Sequence, residues 1–303
     1  IPRPELAVPL VGALCAGGLP LIEVTLRNES ALESIRLIRQ AFPDLPVSAG
    51  TVLSCEQADA AVEAGADFVV TPGFRARVVE HCLGAGIPIL PGCVTATEIE
   101  AGREMGLRVF KFFPAEQLGG VKTICELCGP YADIRFVATS GITLKNLPAY
   151  MACRFVSAAG GSFMAPTELV EAENWAAISA LCREAVRVSL GFRLMHIGVN
   201  GADAAEGAAI ARRFAELFGL PYLPGGRSDF AGDMLESCKV PFPGAKGHIA
   251  IGTHSVARAV ANLESRGIRF GEAFRNFDAA GRLKAIYLEE EVGGFAVHLL
   301  QSN

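Results

Sequence analysis

The stretch VFKFFPAE, residues 109–116, is an apolar strand candidate with a lysine inside it. Lys111 stands between Phe110 and Phe112, and lysine is rarely buried unless a partner or a reaction requires its charge. Successive side chains of a strand point to opposite faces, so we expect the two phenylalanines on one face and Lys111 on the other. The stretch predicts a buried strand with an ionisable group on its inner face.

Similar apolar segments recur at intervals of roughly 20–25 residues between residues 19 and 163. Helical patterns separate them, and this alternation predicts an α/β fold with a parallel sheet and right-handed crossovers. We expect a TIM (β/α)8 barrel whose first strand would precede Ile1 and is missing from this chain. A doubly wound sheet is the alternative, although no GxGxxG turn follows a strand. The strand candidates are LPLIEVTL (19–26), LPVSAGTVL (45–53), FVVTPG (68–73), IPILPG (87–92), VFKFFPA (109–115), RFVATSGI (135–142) and FVSAAGGSF (155–163).

The last third of the chain contains an internal repeat. LMHIGVN at 194–200 resembles KGHIAIGT at 246–253, and each precedes an amphipathic helix and three short strand candidates. This repeat predicts an α+β domain of paired βαβββ units. We therefore expect a barrel domain over 1–187, a linker over 188–193 and a second domain over 194–303.

Composition limits the classes of partner. The net charge is −5 and no block of like charges occurs, which argues against nucleic acid or an anionic membrane as the main partner. No apolar run approaches the roughly 20 residues that span a bilayer.

The nine cysteines are scattered, which favours reduced thiols in a cytoplasmic protein. CELC, residues 125–128, has no second pair beside it, so we interpret these as structural cysteines rather than a metal or redox site.

Three ionisable side chains are expected on the inner face of the barrel. Alternation along LPLIEVTLR places Glu23 and Arg27 there with Lys111, toward the strand ends where TIM barrels hold active sites. Burial favours the neutral form of an amine, which can attack a carbonyl to form a Schiff base. A guanidinium fits a carboxylate, and a carboxylate can transfer protons. The set indicates a 2-keto acid substrate, with a simple buried salt bridge as the alternative.

Glycine-rich turns follow the last two predicted strands, at TSGI (139–142) and AGGSF (159–163). Backbone N–H groups in such turns bind anions, and TIM barrels often bind phosphate after strands seven and eight. Ordinary tight turns are the alternative. The candidate phosphate-binding residues are Ser140, Gly141, Gly160, Gly161 and Ser162.

Six motifs of the chain resemble, in register, those of the 2-keto-3-deoxy-6-phosphogluconate (KDPG) aldolases. They are IEVTLR, AGTVL, TPG, PG, FKFFPAE and GGS. That family includes enzymes acting on 2-keto-4-hydroxyglutarate (KHG). The resemblance covers about residues 1–187 and implies a homotrimeric class I lyase that needs no cofactor and yields pyruvate. It implies that Lys111 forms the Schiff base and that Glu23 is the acid/base. The other implied positions are Arg27, Thr51, Pro72 and Arg3 at the substrate, and Gly141, Gly161 and Ser162 at the phosphate, with Ser140 where the family commonly has glycine.

The paired βαβββ units resemble the vicinal-oxygen-chelate superfamily, which includes glyoxalases. The resemblance implies a divalent metal held by His196, Glu236, His248 and His298, ligand types that suit Zn, Fe, Mn or Ni. His298 stands where glutamate is common, and polar residues lining an empty cleft are the alternative. Two other functions stay open: a ligand-binding regulatory protein with an inactive barrel, and a metal-dependent enzyme centred on the second domain.

Overall fold

The computed structural model describes residues 1–240 and 242–302. The chain divides into two compact units, Ile1–Ser189 and Leu190–Asn303. Strands and helices alternate in the first unit, whereas a large sheet dominates the second. Among the described residues, no helix is both long and apolar enough to cross a bilayer.

Seven short parallel strands form the centre of the first unit, and each lies within a segment predicted as a strand. Their apolar residues face two ways, toward the barrel interior and toward the helices, as expected for a parallel sheet covered by helices. The strands are β1 (Ile22–Thr25), β2 (Val47–Gly50), β3 (Phe68–Val70), β4 (Ile89–Leu90), β5 (Val109–Phe112), β6 (Arg135–Thr139) and β7 (Val156–Gly160).

The strands are arranged in sequential order. They form two sheets, β1-β2-β3-β4 and β5-β6-β7, and a parallel bridge between Gly92 and Lys111 joins the two. Sequential order without a reversal is the arrangement of a TIM-like barrel, and it excludes the doubly wound alternative. Within the described residues β1 pairs only with β2, and β7 only with β6.

Helices cover the outside of these strands, and two short 3₁₀ helices, Pro4–Leu6 and Glu116–Leu118, accompany them. Phe110 and Phe112 point toward the helices as strand alternation predicts, and both are fully buried beside Phe136. The helices are α1 (Ala7–Ala16), α2 (Ala31–Ala41), α3 (Cys55–Glu63), α4 (Ala76–Gly84), α5 (Ala96–Glu104), α6 (Gly120–Cys128), α7 (Leu147–Ala152), α8 (Thr167–Glu171) and α9 (Trp175–Leu190).

The linker expected over 188–193 is not an extended segment. Helix α9 continues through Leu190, and the next strand begins at Arg193. Gly191 has a φ of 63°, the left-handed conformation in which glycine commonly ends a helix. Apolar Val188 and Leu190 continue the helical pattern, so only Gly191 and Phe192 separate the two elements.

The second unit contains a single eight-stranded sheet, in the order β13-β14-β15-β12-β8-β11-β10-β9. Each half has the element order βαβββ, and the first strands of the two halves, β8 and β12, pair antiparallel at its centre. The elements are β8 (Arg193–Asn200), α10 (Ala204–Phe218), β9 (Tyr222–Leu223), β10 (Ser228–Ala231), β11 (Leu235–Cys238), β12 (His248–Thr253), α11 (Val256–Glu264), β13 (Asn276–Phe277), β14 (Leu283–Val292) and β15 (Phe295–Gln301).

Candidate active site

Lys111 lies in β5 with only 7% of its surface exposed. Its backbone joins the two sheets of the first unit: its N–H donates to the Pro91 carbonyl at 2.8 Å, and its carbonyl accepts from the Cys93 N–H at 2.9 Å. Because Phe110 and Phe112 occupy the helix-facing side of the strand, the lysine side chain is directed into the barrel. The backbone and the neighbouring rings thus fix the direction of the amine.

The amine of Lys111 faces a carboxylate from the other sheet. Its Nζ lies 3.4 Å from Glu23 Oε1, and Glu23 is in β1. The Nζ also lies 5.5 Å from the centre of the Phe113 ring. The lysine side chain is 8% exposed and that of Glu23 29%, so water screens this pair far less than it screens a surface pair. The geometry places a nucleophilic group beside a group that can accept its proton.

Gly50 makes room for that carboxylate. It ends β2, which pairs with β1 in parallel, and Gly50 aligns with Thr25. A Cβ built at Gly50 would overlap the terminal atoms of the Glu23 side chain. Any larger residue would therefore have to displace the carboxylate from its position beside Lys111.

Thr51 and Pro72 lie directly beyond the ends of β2 and β3. Thr51 has a φ of 61°, which is uncommon for a residue other than glycine, and it is half-buried. Pro72 is also half-buried, and its carbonyl packs against Gly92 so closely that no Cβ would fit there. Thr71, which lies between the end of β3 and Pro72, is buried and donates from its hydroxyl to the Gly73 carbonyl at 2.8 Å. Both candidates thus border the end of the barrel.

The two candidate arginines lie outside the helices and strands of the first unit. Strand β1 ends at Thr25, so strand alternation no longer sets the direction of Arg27, which is exposed. Arg3 is exposed as well and forms an ion pair with Glu5 at 3.6 Å. The position of Arg27 at the inner face of the barrel stays a prediction, because Arg27 lies two residues beyond the end of β1.

The two glycine-rich turns lie side by side, because β6 and β7 pair and Thr139 aligns with Gly160. Ser140 and Gly141 both have a φ of 78°, so the first turn adopts a left-handed conformation at two successive residues. The Asn146 side chain donates to the Gly141 carbonyl at 2.9 Å. In the second turn Gly161 and Ser162 are exposed. This pair of turns presents backbone N–H groups at one edge of the barrel.

Thr139 is a candidate that sequence reasoning missed. It ends β6 two residues after Val137, which aligns with Lys111, so it shares the inner face with the lysine. Its hydroxyl oxygen is buried and has no hydrogen-bonding partner among the described residues. A buried, unpaired hydroxyl at the end of a barrel strand is available to a ligand. Only the register between β5 and β6, which the structure supplies, relates Thr139 to Lys111.

Residues 1–181 match the family described as Aldolase: KDPG and KHG aldolase. The chain belongs to this family. A curated relative, the 2-dehydro-3-deoxy-phosphogluconate aldolase of Treponema pallidum, is 50% identical over 186 residues, which cover 61% of this chain and 89% of the relative. The corresponding protein of Dickeya dadantii is 45% identical over 182 residues, covering 60% of this chain and 85% of that one. The predicted family is thereby confirmed.

The first unit is also similar to solved structures. One is the KDPG aldolase of Legionella pneumophila with pyruvate captured as a covalent carbinolamine intermediate. The match has a TM-score of 0.59 and 36% sequence identity, and it covers 60% of this chain and 89% of the Legionella chain. Another is the Zymomonas mobilis enzyme with 3-phosphoglycerate, with a TM-score of 0.57 and 38% identity, covering 60% and 86%. These similarities confirm the TIM-like barrel of the first unit.

The second unit brings its candidate metal ligands together. The ligand atoms of His196, His248 and His298 all lie within 4.8 Å of one another. Glu236 Oε2 lies 3.0 Å from His196 Nε2 and 3.3 Å from His248 Nε2. The four residues come from four adjacent strands, β11, β8, β12 and β15. Gly198 leaves space for the His248 ring, because a Cβ at that position would overlap it.

Burial and hydrogen bonds shift the pKa values of two members of this cluster, His298 and Glu236. Burial, together with the neighbouring His248 and His196, lowers the pKa of His298 to about 3. Burial alone would raise the pKa of Glu236, but hydrogen bonds with His196 and His248 hold it well below its usual range. At neutral pH the carboxylate is ionised and His298 is neutral. Both are then in the protonation states in which these side chains bind metals.

We expect Gly50→Ala to lower the turnover rate of KDPG cleavage by about tenfold or more. The added methyl group would displace the Glu23 carboxylate, and positioned acid–base groups contribute roughly 10²–10⁴-fold. Lys111 should still form an adduct with pyruvate that borohydride reduces, because the atoms nearest to the added methyl group belong to Glu23. Steady-state turnover and mass spectrometry of the adduct measure the two effects.

Gly84→Ala is the matched control, because a Cβ there meets no atom within 4 Å. Its turnover should equal that of the unmodified chain. Wild-type turnover in Gly50→Ala would show that the position of Glu23 does not limit the reaction.

Proposed function

We propose that the first unit is a class I aldolase that cleaves KDPG to pyruvate and glyceraldehyde 3-phosphate. The observation that carries the proposal is the buried Lys111 amine 3.4 Å from Glu23. The names of the relatives at 50% and 45% identity support this activity. The pyruvate carbinolamine in the Legionella protein is the adduct that an amine forms with a 2-keto acid. Such an enzyme is a lyase.

The mechanism begins with attack of the neutral Lys111 amine on the C2 carbonyl of the substrate. The carbinolamine loses water to give an iminium, which withdraws electrons from C3. Glu23, directly or through a water molecule, removes the proton of the C4 hydroxyl while the C3–C4 bond breaks and the electrons form an enamine. Glyceraldehyde 3-phosphate leaves, the enamine takes a proton at C3, and hydrolysis of the iminium releases pyruvate. KHG has the same 4-hydroxy-2-keto skeleton and would yield pyruvate and glyoxylate.

The remaining candidates in the barrel would bind the substrate away from the reacting bond. Thr51, Pro72 and the free hydroxyl of Thr139 lie at the strand ends, where a carboxylate and a hydroxylated chain would approach Lys111. Arg27 and Arg3 are exposed, and their guanidinium groups would hold the carboxylate of the substrate. The phosphate would lie on the paired turns formed by Ser140, Gly141, Gly160, Gly161 and Ser162.

The assembly and the location are proposals as well. The resemblance to KDPG aldolases supports a homotrimer whose small-molecule substrate is a 2-keto acid. A cytoplasmic location is supported by the cysteines, because all nine are free thiols.

Replacement of Lys111 should abolish cleavage. In the unmodified chain, borohydride reduction in the presence of pyruvate should leave one adduct, on Lys111, because this amine is buried beside a proton acceptor. Lys111→Ala should form no adduct and should lose KDPG cleavage, while Lys122→Ala and Lys145→Ala serve as controls that retain both. Peptide mass spectrometry and a coupled pyruvate assay give the two readouts. An adduct on Lys122 or Lys145 would contradict the assignment, and an absence of any adduct would favour an inactive barrel.

A negative charge in the second turn should weaken binding of the phosphorylated substrate. We expect Ser162→Asp to raise the KM for KDPG about tenfold or more, since like charges placed together cost more than about 1.4 kcal/mol. Exchange of the methyl protons of pyruvate with solvent should stay unchanged, because pyruvate carries no phosphate. Ser162→Asn has nearly the same shape without the charge and is the control. An equal KM for KDPG in both variants would show that this turn does not bind the phosphate.

We propose further that the second unit holds a divalent cation at His196, Glu236, His248 and His298. The residues fit such an ion, because they offer a carboxylate and three imidazoles whose ligand atoms converge. His248 Nδ1 and both ring nitrogens of His298 are buried and lack a hydrogen-bonding partner among the described residues. A bound cation would supply a Lewis acid that polarises an oxygen ligand. A metal-dependent enzyme with the barrel as scaffold is the corresponding alternative function.

Removal of one histidine should weaken binding of the cation. The full chain, stripped with a chelator and dialysed against Zn²⁺ or Mn²⁺, should retain about one ion per chain. His298→Ala should lower the affinity at least about tenfold, a loss that even residues supporting metal ligands can cause. His81→Ala is the control, because His81 is paired with Asp59 in the first unit. Elemental analysis and calorimetry measure the binding, and equal affinity in the two variants would contradict the proposed centre.

A further inference from the structure

Two cysteines of the barrel lie close enough to react with each other. Cys125 in α6 and Cys153, directly after α7, have their Sγ atoms 3.7 Å apart. A disulfide requires about 2.05 Å, so each sulfur of the pair at 3.7 Å would have to move about 0.8 Å. Cys125 is exposed, whereas Cys153 is half-buried. An oxidant can therefore reach one thiol, and the second thiol lies directly beside it.

The buried cysteines are poorly suited to reaction. Cys128, Cys93 and Cys182 are buried, and burial raises the pKa of the Cys128 thiol to about 12 and that of Cys182 to about 11. Thiols with such pKa values are inert, because the thiolate is the nucleophile. Burial and the hydrogen bond with Cys153 raise the pKa of Cys125 too, but the positive charge of Arg154 opposes them. Its exposure thus distinguishes Cys125 from the buried cysteines.

We propose that Cys125 and Cys153 form a reversible disulfide when a hydroperoxide oxidises the protein. The Cys125 thiolate attacks one peroxide oxygen; the S–O bond forms as the O–O bond breaks, and hydroxide leaves and takes a proton. The Cys153 thiolate then attacks the sulfur of the Cys125 sulfenic acid, so that the S–S bond forms and water leaves. In total two thiols lose two electrons and two protons, and one hydrogen peroxide becomes two water molecules.

The cross-link would join two neighbouring helices that follow β5 and β6. Tyr150 of α7 already donates a hydrogen bond to the Glu116 carboxylate, which lies just before α6. That bond joins the beginning of α6 to α7, while the disulfide would join the later part of α6 to the residue after α7. The second connection closes a loop of 28 residues, which restricts the unfolded chain. Oxidation is therefore expected to stabilise this side of the barrel.

Titration of the reduced full chain with hydrogen peroxide tests the proposal. Trypsin places Cys125 and Cys128 in one peptide, 123–135, and Cys153 in another, 146–154. Non-reducing mass spectrometry should show these peptides linked, with two thiols lost per chain. The linked peptides should persist in Cys128→Ser and in the control Cys55→Ser, and disappear in Cys125→Ser and Cys153→Ser.

The thermal midpoint of the barrel should rise by about 5 °C or more on oxidation, and dithiothreitol should reverse the rise. Cys125→Ser should show no such rise. A link between Cys125 and Cys128 would overturn the proposal. So would conversion of Cys125 to sulfinic acid without cross-linking, or a disulfide between two chains.

Discussion

The placement of one lysine amine inside a barrel constrains the architecture of the first unit. A charge removed from water is costly unless it is paired, so Lys111 requires the Glu23 carboxylate from the other sheet. The carboxylate in turn requires a residue without a side chain at position 50. The direction of the amine depends on Phe110 and Phe112, whose burial on the helix side fixes the inner face of β5. The bridge between Gly92 and Lys111 sets the distance between the two halves of the barrel.

Much of this arrangement could be predicted from the sequence, because it depends on periodicity. The seven strand segments and the inward direction of Lys111 and Glu23 follow from alternation along apolar strands. Alternation sets no direction beyond the end of a strand, so the inward position of Arg27 stays a prediction. The predicted linker is longer than the observed one, because a helix ends where its backbone changes conformation, here at Gly191. The patterns of hydrophobicity before Gly191 gave no sign of a boundary.

Contacts between distant segments could not be read from the sequence. Thr139 was missed because its relation to Lys111 depends on the register between β5 and β6. The proximity of Cys125 and Cys153 depends on how α6 and α7 pack, which no sequence pattern shows. In the second unit the repeat placed four polar residues at similar positions. Only the strand order shows that β11, β8, β12 and β15 are adjacent, so that the four side chains converge.

The convergence of these four residues also bears on how the second unit folds. His196 and Glu236 belong to the first βαβββ half, and His248 and His298 belong to the second. Neither half can complete the cluster alone, and the seam between them is the antiparallel pairing of β8 with β12. Any ligand that binds all four residues favours only the state in which both halves are folded and paired. Two copies of one motif would thereby become a single cooperative folding unit, whose halves could then diverge in sequence without separating.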